Sequence, residues 1–302
     1  MNKTSLKFKI IDVFYLVMAV LPLCAGIILQ LRTKPQSEGV SISGARIFFT
    51  LPTPIQPFPV TESQINSALV LITITFVCLY MTHGLKERIE LKRQHLAELA
   101  VTKVDEMVGE NMGEYFKGFS PFIIAIMALS AFSSLLSLLG LYPPTSDINI
   151  VGGWAILVFI LITYYKMKCG PIYYLKGFTE PVALLAPINF ISEFATPVSM
   201  AFRHYGNVLS GSVISVLLGT ALAGLSAKLL GWLPGFLADI PLFQIGIPAV
   251  LSAYFDVFSG LLQAFIFAML TMMYVSGGFP ADEYEKRKLK RLQKKVKKAD
   301  KA

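Results

Sequence analysis

Residues 196–212 read TPVSMAFRHYGNVLSGS, and this stretch places Arg203 in the middle of a long apolar run. The run covers 47 residues, from Pro181 to Ala227, and its only other firmly charged side chain is Glu193. A helix of this length would measure ~70 Å, more than twice the ~30 Å of a hydrocarbon core. Arginine keeps its proton at membrane depth and costs ~2.5–3.5 kcal/mol to insert there. Arg203 therefore needs an anionic partner.

The polar side chains around Arg203 recur every three or four positions, so they share one face of a helix. We call this set the Arg203 stripe: Asn189, Ser192, Thr196, Ser199, Arg203, Asn207 and Ser210. A structural seam between the helices of an ordinary membrane bundle would contain similar serines and threonines. A central arginine with no acidic residue near it in the sequence favours a functional stripe instead.

The composition is that of an integral membrane protein. Hydrophobic residues make up 54% of the chain, charged residues make up 15%, and the mean hydropathy is +0.61, which excludes a soluble globular domain. The net charge of +8 does not indicate a nucleic-acid partner, because ten of the 27 Lys and Arg residues lie in the last 17 positions and most others flank apolar runs. The cysteines and histidines are few and scattered, so we expect neither a metal site nor a cofactor.

Six apolar segments predict an all-α polytopic protein with about six transmembrane helices. We divide the chain into an N-terminal span (1–32), an extracytoplasmic linker with some β-like pairing (33–63), a membrane domain (64–281) and a basic cytoplasmic tail (282–302). The first span begins like a signal peptide, with three lysines. Its apolar part is longer than usual and has no convincing cleavage site, which favours a retained span.

Residues 85–117 form a polar connector inside this membrane domain. Its apolar residues Leu85, Ile89, Leu96, Leu99, Val104 and Met107 are roughly at helical spacing. The pattern fits an amphipathic helix on the membrane surface, with Lys86, Arg88, Lys92 and Arg93 at the headgroups, or a solvated helical connector.

The last two apolar runs exceed the length of a perpendicular span, and a short turn rich in Gly and Pro joins them. They predict a strongly tilted hairpin, or spans broken at Pro197 and Pro248. With six spans and the N-terminus inside, the inner segments hold 22 Lys and Arg residues and the outer segments hold four. This asymmetry places the C-terminus in the cytoplasm.

A second polar row follows in the last run, and we call it the Asp256 stripe: Ser252, Asp256, Ser259, Gln263 and Thr271. This span runs from outside to inside, which places Asp256 in the outer half of the bilayer and Gln263 near its middle. The preceding span runs the other way, with Asn189 and Glu193 on its inner side and Ser212 on its outer side. Ions can then enter from each face without crossing directly past Arg203. The sequence shows no catalytic motif of its own.

Two motifs resemble subunit a of the F-type ATP synthase, the stator of its membrane motor. They are PVSMAFRHYGNVLSG (197–211) and LQAFIF (262–267), and the similar organisation covers roughly residues 45–280. The resemblance implies that Arg203 faces the carboxylates of a rotating c-ring, with Asn207 and Gln263 as polar companions. It also implies H⁺ or Na⁺ as the coupling ion, peripheral-stalk b subunits as partners, and the inner (plasma) membrane as the location.

The chain departs from the family pattern in its outer half. Ser212 stands where many members carry Glu or His, and Asp256 stands where some carry His or Glu. Asp256 would then be the sole titratable group of the outer half-channel. The alternative is a secondary ion-coupled transporter in which Arg203 binds a substrate or counter-ion, although the internal repeat common in transporters is not found. A third option is a structural membrane subunit without an ion path.

Overall fold

The computed structural model describes residues 3–33, 44–54, 56–86, 91–179, 182–230 and 242–299. Within these ranges, six helices are long and apolar enough to cross a membrane. The prediction of an all-α polytopic protein with about six spans is confirmed. The α-helices are α1 Lys3–Thr33, α2 Glu62–Thr82, α3 Lys92–Met112, α4 Ser120–Leu135, α5 Ile148–Lys166, α6 Pro171–Gly177, α7 Ala186–Leu230, α8 Leu242–Ser252, α9 Gly260–Gly277 and α10 Ala281–Ala299.

Shorter elements connect these helices. A π-helical segment, Ala253–Ser259, joins α8 to α9 without a break in the helical path. Turns of 3₁₀ helix occupy Glu114–Phe119, Leu136–Leu139, Pro144–Ser146, Met167–Cys169 and Ala183–Leu185. The basic tail is helical as α10, and its residues 300–302 lie outside the described residues.

A small antiparallel hairpin follows the first span. Its strands are β1 Ile47–Leu51 and β2 Phe58–Thr61, and β2 leads directly into α2. Arg46 Nε donates a hydrogen bond to Glu62 Oε2 over 2.9 Å, which ties the base of the hairpin to the first turn of α2. The β-like pairing predicted in this linker is confirmed. Residues 34–43 and 55 of the linker lie outside the described residues.

The N-terminal helix α1 packs along α2. Thr73 Oγ1 donates to the carbonyl of Ala19 in the buried interface, with an O–O distance of 3.1 Å. Near the N-terminal end of α1, Asp12 Oδ1 lies 2.8 Å from His83 Nδ1 and 2.7 Å from Arg93 Nη1. These contacts fit a helix that belongs to the folded subunit, and its retention stays a prediction.

The connector helix α3 packs one side against the bundle, and its placement at a membrane surface stays a prediction. Val108 and Met112 are buried in the core, and the predicted Val104 and Met107 pack against the same core.

The other half of the predicted apolar face does not pack in this way. Leu96 and Leu99 are 55% and 49% exposed, and Leu85 lies outside the helix because α3 begins at Lys92. The predicted Ile89 and Arg88 lie outside the described residues.

Arg93 also departs from its predicted position at the lipid headgroups. Its guanidinium binds Asp12 and donates to the carbonyl of His83, and it lies 5.2 Å from the Phe8 ring centroid and 4.8 Å from that of Tyr80. The count of Lys and Arg residues did not include Asp12 of α1. Its carboxylate attracts the Arg93 guanidinium into the interface between the helices.

The long helix α7 runs for 45 residues without interruption and contains Pro197. The predicted break at Pro197 is wrong, because one missing N–H and a local clash can be absorbed when neighbouring turns keep their hydrogen bonds. Pro248 likewise lies inside α8, and the irregularity falls one turn later, in the π-helical segment. The predicted Gly- and Pro-rich turn at 231–236 lies outside the described residues, and the strong tilt stays a prediction.

The largest buried cluster lies where α3, α4, α5 and α9 meet. Gly260 allows α9 to approach α4 closely, because a Cβ at this position would lie 2.6 Å from Ser134 Cβ. This bundle supports α7 from one side. Its buried apolar members are Val108, Met112, Phe116, Phe119, Ile123, Ile126, Val158, Ile162, Met200, Phe267, Ala268, Met272, Val275 and Phe279.

Candidate ion-translocation site

Arg203 lies on a face of α7 that the rest of the described chain leaves uncovered. The residue is exposed, and no side chain within the described ranges forms a hydrogen bond or ion pair with it. The adjacent apolar side chains Val198 and Phe202 are 52% and 60% exposed. An unpaired arginine on an apolar surface is what we expect where a neighbouring subunit supplies the anion.

His204 points the opposite way, into the core. It is fully buried, and its Nε2 lies 3.2 Å from Ser130 Oγ. The rings of Trp154 and Phe267 meet the imidazole edge-on, with centroid distances of 5.9 and 5.6 Å. His204 therefore fixes the rotation of α7 against α4, α5 and α9. The sequence analysis made no prediction about His204, and the structure shows how it determines which way Arg203 faces.

Asn207 joins the Arg203 stripe to the Asp256 stripe. Its Nδ2 donates to Ser259 Oγ over 2.7 Å, and the Ser259 hydroxyl lies 3.0 Å from Asn207 Oδ1. One turn further, Gly211 allows close approach, because a Cβ there would lie 3.0 Å from Phe255. The two polar stripes thus meet between α7 and the π-helical segment, one turn from Arg203.

Asp256 lies within the π-helical segment and is half-buried. Its carboxylate accepts a hydrogen bond from Ser252 Oγ. Gln263, seven residues later in α9, is buried. In the part of the chain that the structure describes, no hydrogen bond joins Asp256 or Gln263 to Arg203. Both residues belong to the last apolar run, which Asn207 contacts through Ser259.

A polar cavity of about 460 Å³ opens at the N-terminal end of α7, and we call it the vestibule. Asn189 of the Arg203 stripe lines it together with Glu193. Glu193 Oε2 lies 2.6 Å from Lys166 Nζ, and Asn189 Nδ2 donates to the carbonyl of Phe178 over 2.9 Å. The vestibule is lined by Lys166, Tyr173, Tyr174, Gly177, Phe178, Asn189, Ser192, Glu193, Thr196, Gly277, Gly278, Phe279 and Pro280.

Tyr174 on α6 completes the surroundings of Glu193. Its hydroxyl donates to Glu193 Oε1 over 3.5 Å. Burial raises the pKa of Tyr174, and the adjacent Glu193 carboxylate raises that pKa further. The phenol therefore stays protonated at neutral pH and acts as a hydrogen-bond donor to the carboxylate.

The far end of the Arg203 stripe is built differently. Ser210 Oγ donates to the carbonyl of Gly206 over 2.6 Å, and Ser212 Oγ donates to the carbonyl of Leu209 over 2.8 Å. Both residues are exposed, so each hydroxyl keeps its acceptor lone pairs for water. Across the described ranges, no three His, Cys, Asp or Glu side chains cluster as a metal site requires.

Comparison with known proteins gives consistent matches over the membrane domain. Residues 65–276 match the family described as ATP synthase A chain. The chain belongs to this family. It is 28% identical over 275 residues to the sodium-ion-specific ATP synthase subunit a of Propionigenium modestum, covering 80% of this chain and 88% of that protein. It is 30% identical over 213 residues to ATP synthase subunit a of Trichlorobacter lovleyi, covering 69% of this chain and 83% of that protein.

Membership of the ATP synthase A chain family makes this chain an ion-translocating stator subunit of an F-type ATP synthase, and a multi-pass membrane protein. The family partner is the c-ring within the F-type complex. The alternatives of a secondary transporter and of a structural subunit without an ion path are therefore set aside. A further relative, ATP synthase subunit a of Desulforamulus reducens, is 40% identical over 145 residues, which are 46% of this chain and 50% of that protein.

The sequence analysis of this family member missed Lys166 as a site residue. It counted Lys166 only among the Lys and Arg residues that flank apolar runs. Lys166 and Glu193 are 27 positions apart, on different helices, so no spacing within one helix connects them. The available signal was the isolated Glu193 itself, because a carboxylate near the end of an apolar run requires a partner.

Proposed function

We propose that the two polar stripes form two half-channels and that Arg203 separates them. The observation that carries this proposal is the exposure of Arg203 on an apolar face with no partner in the described part of the chain. A carboxylate of the c-ring would supply the missing anion. Arg203 would release each carboxylate from its ion on one side and prevent the ion from passing directly to the other side.

The inner half-channel begins at the vestibule, where Asn189 and Glu193 provide a polar path toward Arg203. The outer half-channel uses Asp256 as its titratable group and Ser212 as a polar wall. Asn207 and Gln263 lie between the two, and the hydrogen bond of Asn207 to Ser259 supports a fixed spacing of α7 and the last span.

The remaining assignments rest on membership of the family and on the charge distribution. We infer that the subunit lies in the inner (plasma) membrane with a cytoplasmic C-terminus, contacts peripheral-stalk b subunits besides the c-ring, and conducts H⁺ or Na⁺. The proposed role needs no cofactor and no catalytic residue in this chain, because rotation of the ring transmits the energy. The separate N-terminal span (1–32), linker (33–63), membrane domain (64–281) with its connector (85–117) and basic tail (282–302) remain our proposed division.

The test replaces Arg203 by alanine and measures ATP synthesis in energised membrane vesicles. We expect Arg203→Ala to abolish ion-driven synthesis while the subunit still co-purifies with the c-ring. The matched control is Lys228→Ala, which removes one cation from the C-terminal end of the same helix and should leave synthesis unchanged. Coupled synthesis by Arg203→Ala at the control rate would overturn the proposal.

A further inference from the structure

A second cavity, of about 190 Å³, adjoins the vestibule, and we call it the deep cavity. Both cavities share Lys166, Glu193, Thr196, Gly277 and Gly278. The deep cavity also reaches one helical turn further along α5 and α9, and it is lined by Ile162, Lys166, Glu193, Thr196, Met273, Tyr274, Gly277 and Gly278. In the proposed orientation these additional residues lie deeper in the membrane. Thr196 is seven residues from Arg203, about 10 Å along the helix.

The only charged side chains among the described residues that line either cavity are Lys166 and Glu193. Their Nζ–Oε2 distance is 2.6 Å, and their side chains are 28% and 11% exposed. A short pair in a partly dry site is held more firmly than a surface pair, because water screens it less. The pair lies where the vestibule and the deep cavity meet.

Backbone packing holds the lysine stem in place. A Cβ at Gly278 would lie 3.0 Å from Lys166 Cε and 3.1 Å from Lys166 Cγ, so glycine leaves room for the stem to cross the end of α9. On the other side, Tyr174 donates to the second oxygen of Glu193. Tyr173 and Tyr274 are the other titratable groups among the described residues that line the two cavities. The end of α9 and Glu193 of α7 therefore hold the ammonium at the junction, and Tyr174 of α6 holds Glu193.

We propose that Lys166 is a gate that controls cation access from the vestibule to the deep cavity. This inference rests on the proposed function, because it assigns the Glu193 end of α7 to the inner half-channel. A cation that enters from the vestibule must compete with the ammonium for the Glu193 carboxylate, and it must pass the fixed positive charge of Lys166. Lys166 thus disfavours passage of a hydrated cation through the junction.

Two cysteine reporters test this gate in the assembled complex. Ser192→Cys reports on the vestibule, and Ile162→Cys reports on the deep cavity, because Ile162 lines that cavity and is only 4% exposed. Native Cys24, Cys78 and Cys169 are first replaced. Inverted vesicles, which expose the cytoplasmic face, are treated with a membrane-impermeant trimethylammonium thiol reagent. The measured quantity is the labelling rate at Ile162→Cys divided by the rate at Ser192→Cys.

We expect Lys166→Met to raise this ratio about tenfold, which corresponds to ~1.4 kcal/mol. Lys166→Arg should keep the low ratio, because a guanidinium also binds the carboxylate. The matched control is Lys176→Met, which removes one cation from the adjacent α6 without touching either cavity. Normalising to Ser192→Cys removes any general attraction of the reagent by the changed charge. Lys166→Gln replaces Lys166→Met if the methionine variant does not assemble.

The outcomes separate this proposal from the proposed function. An unchanged ratio in Lys166→Met, with Ser192→Cys still labelled from the cytoplasmic face, would overturn the gate and leave the half-channels intact. Labelling of Ser192→Cys only from the opposite face would instead contradict the orientation on which the proposed function depends. A raised ratio in Lys166→Met and in Lys176→Met alike would show a general charge effect and would also overturn the gate.

Discussion

The N-terminal end and the middle of α7 differ in how their charges are paired. Glu193 is 11% exposed and forms a 2.6 Å ion pair with Lys166 of the same chain. Arg203, ten residues later, is exposed and has no partner in the described part of the chain. Both residues lie in one apolar run that can tolerate few charges.

The difference distinguishes a charge that the subunit satisfies itself from a charge that it presents to another molecule. In the proposed arrangement, the Glu193 pair belongs to the inner half-channel and is complete within this chain. Arg203 would be neutralised only when a neighbouring subunit supplies a carboxylate. His204 keeps Arg203 on the open side of α7, because burial of His204 beside Ser130 orients that turn of the helix.

The largest effect on ATP synthesis in this comparison should come from giving each of the two cations the other basic residue type. Arg203→Lys should lower ATP synthesis on the order of a hundredfold, the scale for loss of one preorganised charge-stabilising group. A lysine enclosed between this subunit and the ring would lose its proton more readily than arginine does, and it lacks the planar guanidinium. The reverse exchange, Lys166→Arg, should keep most of the activity because Glu193 remains as its partner. Synthesis rates in vesicles with equal subunit content measure both variants, and equal losses would contradict the distinction.

The next effect concerns Asp256. Asp256→Asn keeps an acceptor for Ser252 Oγ and removes titration. We expect ion flux through the membrane sector to fall about tenfold. This is less than the usual loss on removal of a proton-transferring group, because water in an open path can carry part of the proton transfer. Passive flux, measured in vesicles stripped of the catalytic sector, checks this. The control is Thr220→Ala, which removes a hydroxyl that lies outside both stripes. Unchanged flux across the working pH range would make Asp256 a structural residue.

Much of the membrane architecture could be predicted from the sequence, because apolar length and charge asymmetry are local signals. The six spans, the unusual length of α7 and the convergence of Asn189 and Glu193 on one cavity follow from hydropathy and from a 3.6-residue period. Pro197 was harder to interpret, because its effect depends on whether the adjacent turns keep their hydrogen bonds.

The contacts between distant helices could not be predicted in this way. Lys166 lies on α5 and meets Glu193 only after α5, α6 and α7 have packed together. Arg93 similarly leaves its predicted position because Asp12 of α1 attracts it. The position of the π-helical segment, one turn after Pro248, also has no signal in the spacing of the Asp256 stripe.

Stability of the isolated subunit offers a smaller but direct test of the comparison. Lys166→Met leaves the Glu193 carboxylate partly buried and unpaired, so the melting temperature in detergent should fall by a few degrees, equivalent to roughly 1–2 kcal/mol. Arg203→Ala should leave the melting temperature unchanged, because no contact within the described chain is lost. The double variant Lys166→Met with Glu193→Gln should recover part of the loss. A larger loss from Arg203→Ala than from Lys166→Met would contradict the distinction between the two sites.

The smallest expected effect lies between the two regions, at the hydrogen bond that fixes the distance from α7 to the last span. Asn207 and Ser259 exchange donor and acceptor roles over 2.7 and 3.0 Å, and both are half-buried. A double-mutant cycle with Asn207→Ala and Ser259→Ala should give a coupling energy of ~1 kcal/mol in the thermal stability of the subunit. If the bond positions Arg203 for the ring, Asn207→Ala should also lower coupled synthesis by several-fold, and Ser259→Ala should lower it less because Asn207 can still donate to the Ser259 carbonyl, 3.5 Å away. Additive stability losses would show that the two side chains do not act together, and equal losses of synthesis in both variants would show that the carbonyl cannot replace the hydroxyl.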